Sequence, residues 1–137
     1  MSIENPSRTE IGKMLKQAKR IAVVGLSDKP NRTSYMVSEA MQKSGYEIIP
    51  VNPKVKEVLG VKAVASLAEI EGKVDIVNVF RRSEYLPSLA SEFQNIDCPI
   101  FWTQLGVVDE DVFQQLSDAG YTVIMDRCIK VEHALTK

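Results

Sequence analysis

The sequence predicts a three-layer α/β fold built on a five-stranded parallel sheet. Five short segments rich in β-branched residues alternate with stretches whose apolar residues recur every three to four positions, as in helices that cover a sheet. Successive strands joined through such helices run parallel by right-handed crossovers. With 137 residues the chain is long enough for a sizeable core, and we expect one domain over residues 1–137.

The predicted elements are bounded by glycine, proline and capping residues. The strands are expected, in chain order, at 21–24, 46–51, 74–80, 99–103 and 121–125. The helices are expected at 7–18, from Thr33 or Ser34 to Gly45, at 83–94 and from Asp109 to Gly120. A short helical piece is expected at 66–69, and a loop at 126–133 that ends in at most one helical turn. The expected order of the strands across the sheet is 3-2-1-4-5. Pairing of the second strand should stop near Ile49, because Pro50 has no N–H to donate.

The bulk composition excludes several classes of protein. A net charge of -1 gives no general attraction to nucleic acid. No apolar run reaches the length of about 18 residues needed to cross a membrane, and the first 20 residues lack the apolar core of a signal peptide. We therefore expect a cytoplasmic protein whose two cysteines, Cys98 and Cys128, stay reduced. Whether it has a protein partner or forms a homo-oligomer stays open.

The first predicted strand leads into a polar, basic loop. The buried run Ile21–Val24 turns at Gly25 into a segment containing Lys29 and Arg32, and a helix begins directly afterwards. Free N–H groups and the dipole at a helix N-terminus both favour an anion. The pattern therefore predicts a phosphate site, although an ordinary strand-to-helix connection has the same outline.

Polar or glycine-containing segments follow all five predicted strands. They lie at Gly25, Asn52, Phe80, Gln104 and Arg127. In a parallel sheet these positions share one edge, the carboxyl edge, where open α/β sheets bind their ligands. The agreement of five separate segments predicts a binding site at that edge.

The loop chemistry favours an adenine nucleotide that carries a ribose phosphate. A dinucleotide site normally has G-x-G-x-x-G after its first strand and an acid after its second. Here Ser27 and Pro30 occupy the later glycine positions, and no carboxylate follows the second strand. Lys54 and the Arg81-Arg82 pair would attract the phosphate that such an acid would repel. Coenzyme A and NADP both meet this description.

Several ordered motifs make the chain resemble the small, single-domain CoA-binding protein family. The motifs are Ala22–Ser27, Arg32–Tyr35, Gly45–Tyr46, Ile49–Pro53, Val79–Ser83, Trp102–Gly106 and Met125–Lys130, and the resemblance extends over residues 7–133. Members have a Rossmann-like fold similar to the N-terminal CoA-binding domain of the succinyl-CoA synthetase alpha subunit. The resemblance implies coenzyme A or an acyl-CoA as the ligand and leaves the reaction undefined, because this chain lacks the catalytic domains of that synthetase.

The resemblance also implies which residues bind each part of the ligand. The diphosphate would lie against Gly25, Ser27, Lys29, Arg32, Ser34 and Tyr35. Adenosine and its 3'-phosphate would lie against Asn52, Pro53, Lys54, Phe80, Arg81 and Arg82. The pantetheine arm would extend toward Trp102, Gln104 and Arg127, with Cys128 near the thiol end.

No catalytic group stands out in the sequence. Cys128 and the single histidine, His133, are five residues apart, a spacing that directs them away from each other on a helix or a strand. One histidine and two separated cysteines do not form a metal site. The leading hypothesis is a CoA or acyl-CoA binding protein without its own catalysis, in a sensing, carrier or regulatory role. The alternatives are an NADP-binding oxidoreductase and a partner-binding module with a vestigial nucleotide pocket.

Overall fold

The computed structural model describes residues 3–137 and confirms the predicted fold class. The strands are β1 Arg20–Val24, β2 Glu47–Val51, β3 Glu57–Val58, β4 Val61–Lys62, β5 Ile76–Val79, β6 Ile100–Thr103 and β7 Thr122–Ile124. The helices are α1 Arg8–Gln17, α2 Thr33–Lys43, α3 Leu86–Phe93, α4 Glu110–Asp118 and α5 Ile129–Thr136. All pairings within the five-stranded sheet are parallel, whereas β3 and β4 form a separate antiparallel hairpin.

Helices cover both faces of the five-stranded sheet. Alternate side chains of β1 point to opposite faces, so that Ile21 and Val23 pack in one apolar layer with α1, α2 and α5, while Ala22 and Val24 pack in the other with α3 and α4. The strands are buried on both sides and are therefore almost continuously apolar. This arrangement leaves the ends of the strands as the accessible parts of the sheet.

The strand order differs from the prediction. The sheet has the order β2-β1-β5-β6-β7, which is 2-1-3-4-5 when its five strands are numbered along the chain, and the predicted 3-2-1-4-5 is wrong. The backbone of Pro50 explains the difference. Its carbonyl accepts from the N–H of Val64 and therefore faces away from β1, so its missing N–H lies on the outer side of β2. A strand with proline on that side is suited to the edge of a sheet.

The same geometry corrects the predicted end of β2. Its pairing with β1 continues through Pro50 to Val51, because the proline nitrogen does not take part in that ladder. The chain then folds into the β3–β4 hairpin, which the irregular pattern at 55–70 did not predict, and the predicted helical piece is the short 3-10 turn Leu67–Glu69. This hairpin region covers the outer edge of β2 through the bridge between Val51 and Val64.

The helices follow the predicted pattern with three differences at their ends. Neither Thr33 nor Ser34 caps α2, whose N-cap residue is Arg32 and has no side-chain capping bond. A 3-10 turn, Ser83–Tyr85, precedes α3. The loop expected at 126–133 instead gives way at Ile129 to the eight-residue helix α5, which extends to Thr136. None of the helices in residues 3–137 is long and apolar enough to cross a membrane.

Candidate functional site at the carboxyl edge of the sheet

Three adjoining cavities form a groove along the carboxyl edge of the sheet, and Phe80 lines all three. We name each lobe by the strand whose following loop lines it. The β1 lobe has a volume of about 380 Å³ and is lined by the loop from Gly25 to Ser34. The β2 lobe, about 400 Å³, lies against Val51–Lys54, and the β6 lobe, about 550 Å³, lies against Gln104–Val107.

The observed strand order brings the loops after β1 and β5 together at the centre of this groove. The chain passes from β1 to β2 on one side and then crosses to β5 on the other side of β1. The order in which strands are added therefore reverses at β1, which makes it the topological switch point. Gly25 has φ +84°, and a Cβ atom on it would lie 2.5 Å from the carbonyl oxygen of Phe80. Its N–H donates to Val51 at 2.9 Å, which ties the β2 end to the same point. Glycine is therefore required both by conformation and by space.

The β1 lobe is shaped by hydrogen bonds within its own loop. The N–H of Ser27 donates to Oγ of the buried Ser34 at 3.0 Å, and the N–H of Lys29 donates to Oγ of Ser27 at 3.1 Å. Ser34 thus holds the loop instead of capping α2. The first N–H groups of α2 have no side-chain cap and stay available to an anion in the lobe.

The β2 lobe combines a rigid asparagine with two arginines. The Asn52 side chain donates to the carbonyl of Leu26 at 3.1 Å and accepts from the N–H of Lys54 at 2.9 Å, so it links the loops after β1 and β2. The guanidinium carbon of Arg81 lies 4.2 Å from the centre of the Tyr85 ring, a cation–π contact. Arg82 is mostly exposed and lies 3.8 Å from Glu84.

Positive charge in the groove is largely uncompensated. Among the residues from Ile3 onward, the ion pairs within 4.0 Å involve other cations or Arg82, and none involves Lys29, Arg32, Lys54 or Arg81. Lys29, Arg32 and Lys54 are exposed and Arg81 is half-buried, and cations of one sign grouped around a groove raise the local concentration of an anion. The β1 and β2 lobes are therefore suited to phosphate groups.

The β6 lobe has a different character, with Leu105, Val107, Phe80 and Cys128 among its lining residues. Arg81 and Arg82 line it as well, together with Gln104, which is only 5% exposed and whose Nε2 donates to Oδ1 of the buried Asn78 at 2.6 Å. The lobe can therefore take an apolar group beside the charged part of the groove.

Most of the predicted ligand-binding residues line the groove, but three lie outside its lining. Trp102 is fully buried, and its Nε1 donates to the carbonyl of Arg127 at 2.8 Å, so it packs beneath the loop after β7. Tyr35 packs against the apolar layer of α1, α2 and α5. The Arg127 guanidinium donates to the carbonyl of Asp126 at 3.0 Å. The resemblance did not reveal that these three side chains lie outside the lining of the groove.

Several groove residues were not among those predicted. They are Thr33, Val51, Ser83, Tyr85, Leu105, Gly106 and Val107. Tyr85 lies in the first turn of the segment predicted to be helical, and nothing in its residue type indicated that it would face the groove. Leu105 and Gly106 belong to a quoted motif, but nothing in their residue types indicates contact with a ligand.

Cys128 and His133 occupy different ends of the sheet. Cys128 is the N-cap of α5 and lines the β6 lobe, whereas the His133 ring packs edge-on against Tyr46, 5.6 Å between centroids, at the amino end of β2. Burial and, secondarily, the charge of Lys137 lower the pKa of His133. Within residues 3–137 no group of three or more His, Cys, Asp or Glu side chains is placed to hold a metal ion.

A Rossmann-like parallel sheet with a groove at its carboxyl edge is typical of open α/β proteins, which bind their ligands at that edge. The chain belongs to the CoA binding domain family, whose sequence profile matches residues 19–134. It is 64% identical over 135 residues to the uncharacterized protein YneT of Bacillus subtilis, a match that covers 98% of this chain and 100% of that protein.

Two further comparisons relate the chain to solved structures and to enzymes. A Thermus thermophilus protein of known structure is 34% identical, with a TM-score of 0.93 and coverage of 96% of this chain and 100% of that one. The alpha subunit of ADP-forming acetate–CoA ligase II from Pyrococcus furiosus is 42% identical over 57 residues, which cover 41% of this chain and 12% of that subunit. The matched region is thus a small part of the ligase subunit.

Proposed function

We propose that this protein binds coenzyme A or an acyl-CoA in the groove and does not itself catalyse a reaction. The observation that carries the proposal is the cluster of cations without carboxylate partners, Lys29, Arg32, Lys54 and Arg81, around the junction of Gly25 and Phe80. Membership of the CoA binding domain family supports it. A bound ligand would serve sensing, delivery or regulation of a partner.

The proposed ligand follows the three lobes in order. Its diphosphate lies in the β1 lobe, where Lys29, Arg32 and the N-terminus of α2 share the charge. Its 3'-phosphate lies in the β2 lobe beside Lys54 and Arg81, since a guanidinium binds phosphate through a planar pair of N–H groups. The pantetheine arm then extends past Phe80 into the β6 lobe.

Equilibrium binding tests this proposal against its main rival, an NADP-binding protein. Both ligands carry a phosphate on the adenine ribose, but only coenzyme A has a flexible pantetheine arm. Isothermal titration calorimetry with CoA, NADP and NAD should show the tightest binding for CoA. Micromolar binding of NADP without binding of CoA would contradict the proposal, and failure of both at millimolar concentration would indicate a vestigial pocket.

Arg81→Ala tests the assignment of the 3'-phosphate. Loss of a charge-assisted hydrogen bond, worth about 1.5 to 3 kcal/mol, should weaken the binding of CoA by about 10- to 150-fold. The affinity for dephospho-CoA, which lacks that phosphate, should fall much less. Calorimetry with both ligands measures the difference, and Lys16→Ala, in a separate cavity between α1 and α5, is the control. Equal losses for both ligands would reject the assignment.

A further inference from the structure

We propose that the β6 lobe binds a neutral acyl chain, so that the preferred ligand is a short-chain acyl-CoA and free coenzyme A binds more weakly. The inference rests on the proposed function and specifies the class of ligand. Its basis is the shape, composition and rigidity of one lobe of the groove.

The β6 lobe is the largest of the three and has apolar walls. Its volume is about 550 Å³, compared with about 380 and 400 Å³ for the other two lobes. Leu105 in its wall is 67% exposed, the highest exposure among the large apolar side chains of the described chain. An acyl chain that covers Leu105, Val107 and Phe80 would remove apolar surface from water on both partners.

Hydrogen bonds of Gln104, Thr103 and Gly106 hold the wall of this lobe in place. Gln104 donates to Asn78, so contact with an apolar chain breaks no hydrogen bond there. The Thr103 hydroxyl donates to the carbonyl of Val107 at 2.6 Å, and the N–H of Gly106 donates to Oδ1 of Asp126 at 2.8 Å. The loop is thus formed before a ligand arrives, which lowers the entropy cost of binding.

The charges near the lobe favour a neutral acyl group over one that ends in a carboxylate. Arg81 and Arg82 line both the β2 and the β6 lobes. The Arg81 guanidinium is held over Tyr85, which lines the β2 lobe, and Arg82 is directed to Glu84. The Arg81 guanidinium is therefore engaged on the β2 side, and the Arg82 side chain is 84% exposed, so solvent and salt screen its charge. Leu105, Val107 and Cys128 also line the β6 lobe.

Calorimetry with CoA, acetyl-CoA, butyryl-CoA and hexanoyl-CoA tests the inference. Affinity should rise along the series by about two- to fourfold for each methylene buried, since each contributes up to about 0.8 kcal/mol. Acyl-CoAs that bind no more tightly than CoA would overturn the inference and leave the proposed function intact. Tighter binding of succinyl-CoA than of butyryl-CoA would also overturn it. If neither CoA nor any acyl-CoA binds, the proposed function itself fails.

A pair of matched variants locates the acyl chain. Leu105→Asn should reduce the ratio of butyryl-CoA to CoA affinity toward one, because it makes the wall of the lobe polar. Leu135→Asn, at a leucine that is 59% exposed beside the separate α1–α5 cavity, should keep the wild-type ratio. Both side chains are exposed, and thermal unfolding checks that both variants fold. An unchanged ratio in Leu105→Asn would show that the chain lies elsewhere.

Discussion

Gly25 lies where the β1 and β2 lobes of the groove meet, against the backbone of Phe80. Its positive φ requires a conformation that side chains disfavour, and the Phe80 carbonyl occupies the space where a Cβ would lie. Its N–H also ends the ladder with β2 by donating to Val51. One glycine therefore determines how closely the loops after β1 and β5 approach each other.

Gly25→Ala should destabilise the protein by about 2 to 4 kcal/mol and weaken CoA binding, because backbone strain adds to a clash with backbone. Gly120→Ala is the matched control, since Gly120 also has a positive φ, +98°, but has nothing within 4 Å of its Cβ position. The free energy of unfolding of that variant should fall by only about 1 to 2 kcal/mol, because only the backbone strain applies there. Urea unfolding measures both. Equal losses would show that the approach of Phe80 is unimportant.

The two cysteines should differ sharply in reactivity. Burial raises the pKa of the Cys98 thiol to about 12, so it carries almost no thiolate near neutral pH. Cys128 is partly exposed in the β6 lobe. Iodoacetamide at pH 8, followed by mass spectrometry, should label Cys128 first, and acetyl-CoA should slow that reaction. Urea should make both cysteines reactive. Equal labelling of Cys98 in the folded protein would contradict its burial.

At the level of elements, the start of β1 is held to β5 by Asp75. Its carboxylate accepts from the N–H groups of Lys19 and Arg20 at 2.8 and 2.9 Å. Partial burial alone would raise the pKa of Asp75, but these hydrogen bonds, with the nearby charges of Lys73 and Arg20, bring it below 3.8. A carboxyl with a lowered pKa stabilises the fold when ionised, and this contribution is lost as the pH falls below 3.8 through the folded pKa.

Asp75→Asn should therefore lower the free energy of unfolding by about 1 to 2 kcal/mol at pH 7, a value reduced for partial solvent screening. The difference from the wild type should narrow as the pH falls below 3.8. Urea unfolding at pH 7, 4 and 3 measures it, with the exposed Asp97→Asn as the control. A difference that stays constant down to pH 3 would mean that ionisation of Asp75 does not matter.

At the level of the whole molecule, the groove is assembled from loops that follow β1, β2, β5 and β6. These segments are far apart in the chain and meet only because their strands are parallel and adjacent. A ligand that contacts all of these loops binds only the folded protein, so its binding stabilises the whole fold against unfolding. Binding and global stability should therefore change together.

CoA at 100 times its dissociation constant should raise the free energy of unfolding by about 2.7 kcal/mol. Hydrogen exchange should slow at 25–34, 80–85 and 104–107 but not in α4, on the far face. Protection confined to the cavity of about 460 Å³ between α1 and α5, where Lys13 and Lys16 lie, would contradict the proposed site.

Local patterns in the sequence were sufficient to predict the elements of the sheet, the turn at Gly25 and the basic loop. Each of these features depends on residues only two to four positions apart in the chain. The spacing of apolar residues and the position of glycine therefore indicate them directly. The positions of Asn52, Arg81 and Gln104 just after strands could be predicted for the same reason, whereas their role in binding stays a prediction. Tyr85 and Leu105 were missed because their exposure in the groove depends on other loops.

The sequence by itself determined a parallel α/β fold, its family and the basic residues at the carboxyl edge of the sheet. Only the tertiary structure decided the strand order, the contact between Gly25 and Phe80, and the burial of Trp102. The physical reason is that strand order depends on which strands form hydrogen bonds with each other, and these strands are separated by long stretches of the chain. Pro50 held part of that information, because its missing N–H suits the outer edge of β2, but the side it faces becomes known only once β1 and Val64 lie beside it.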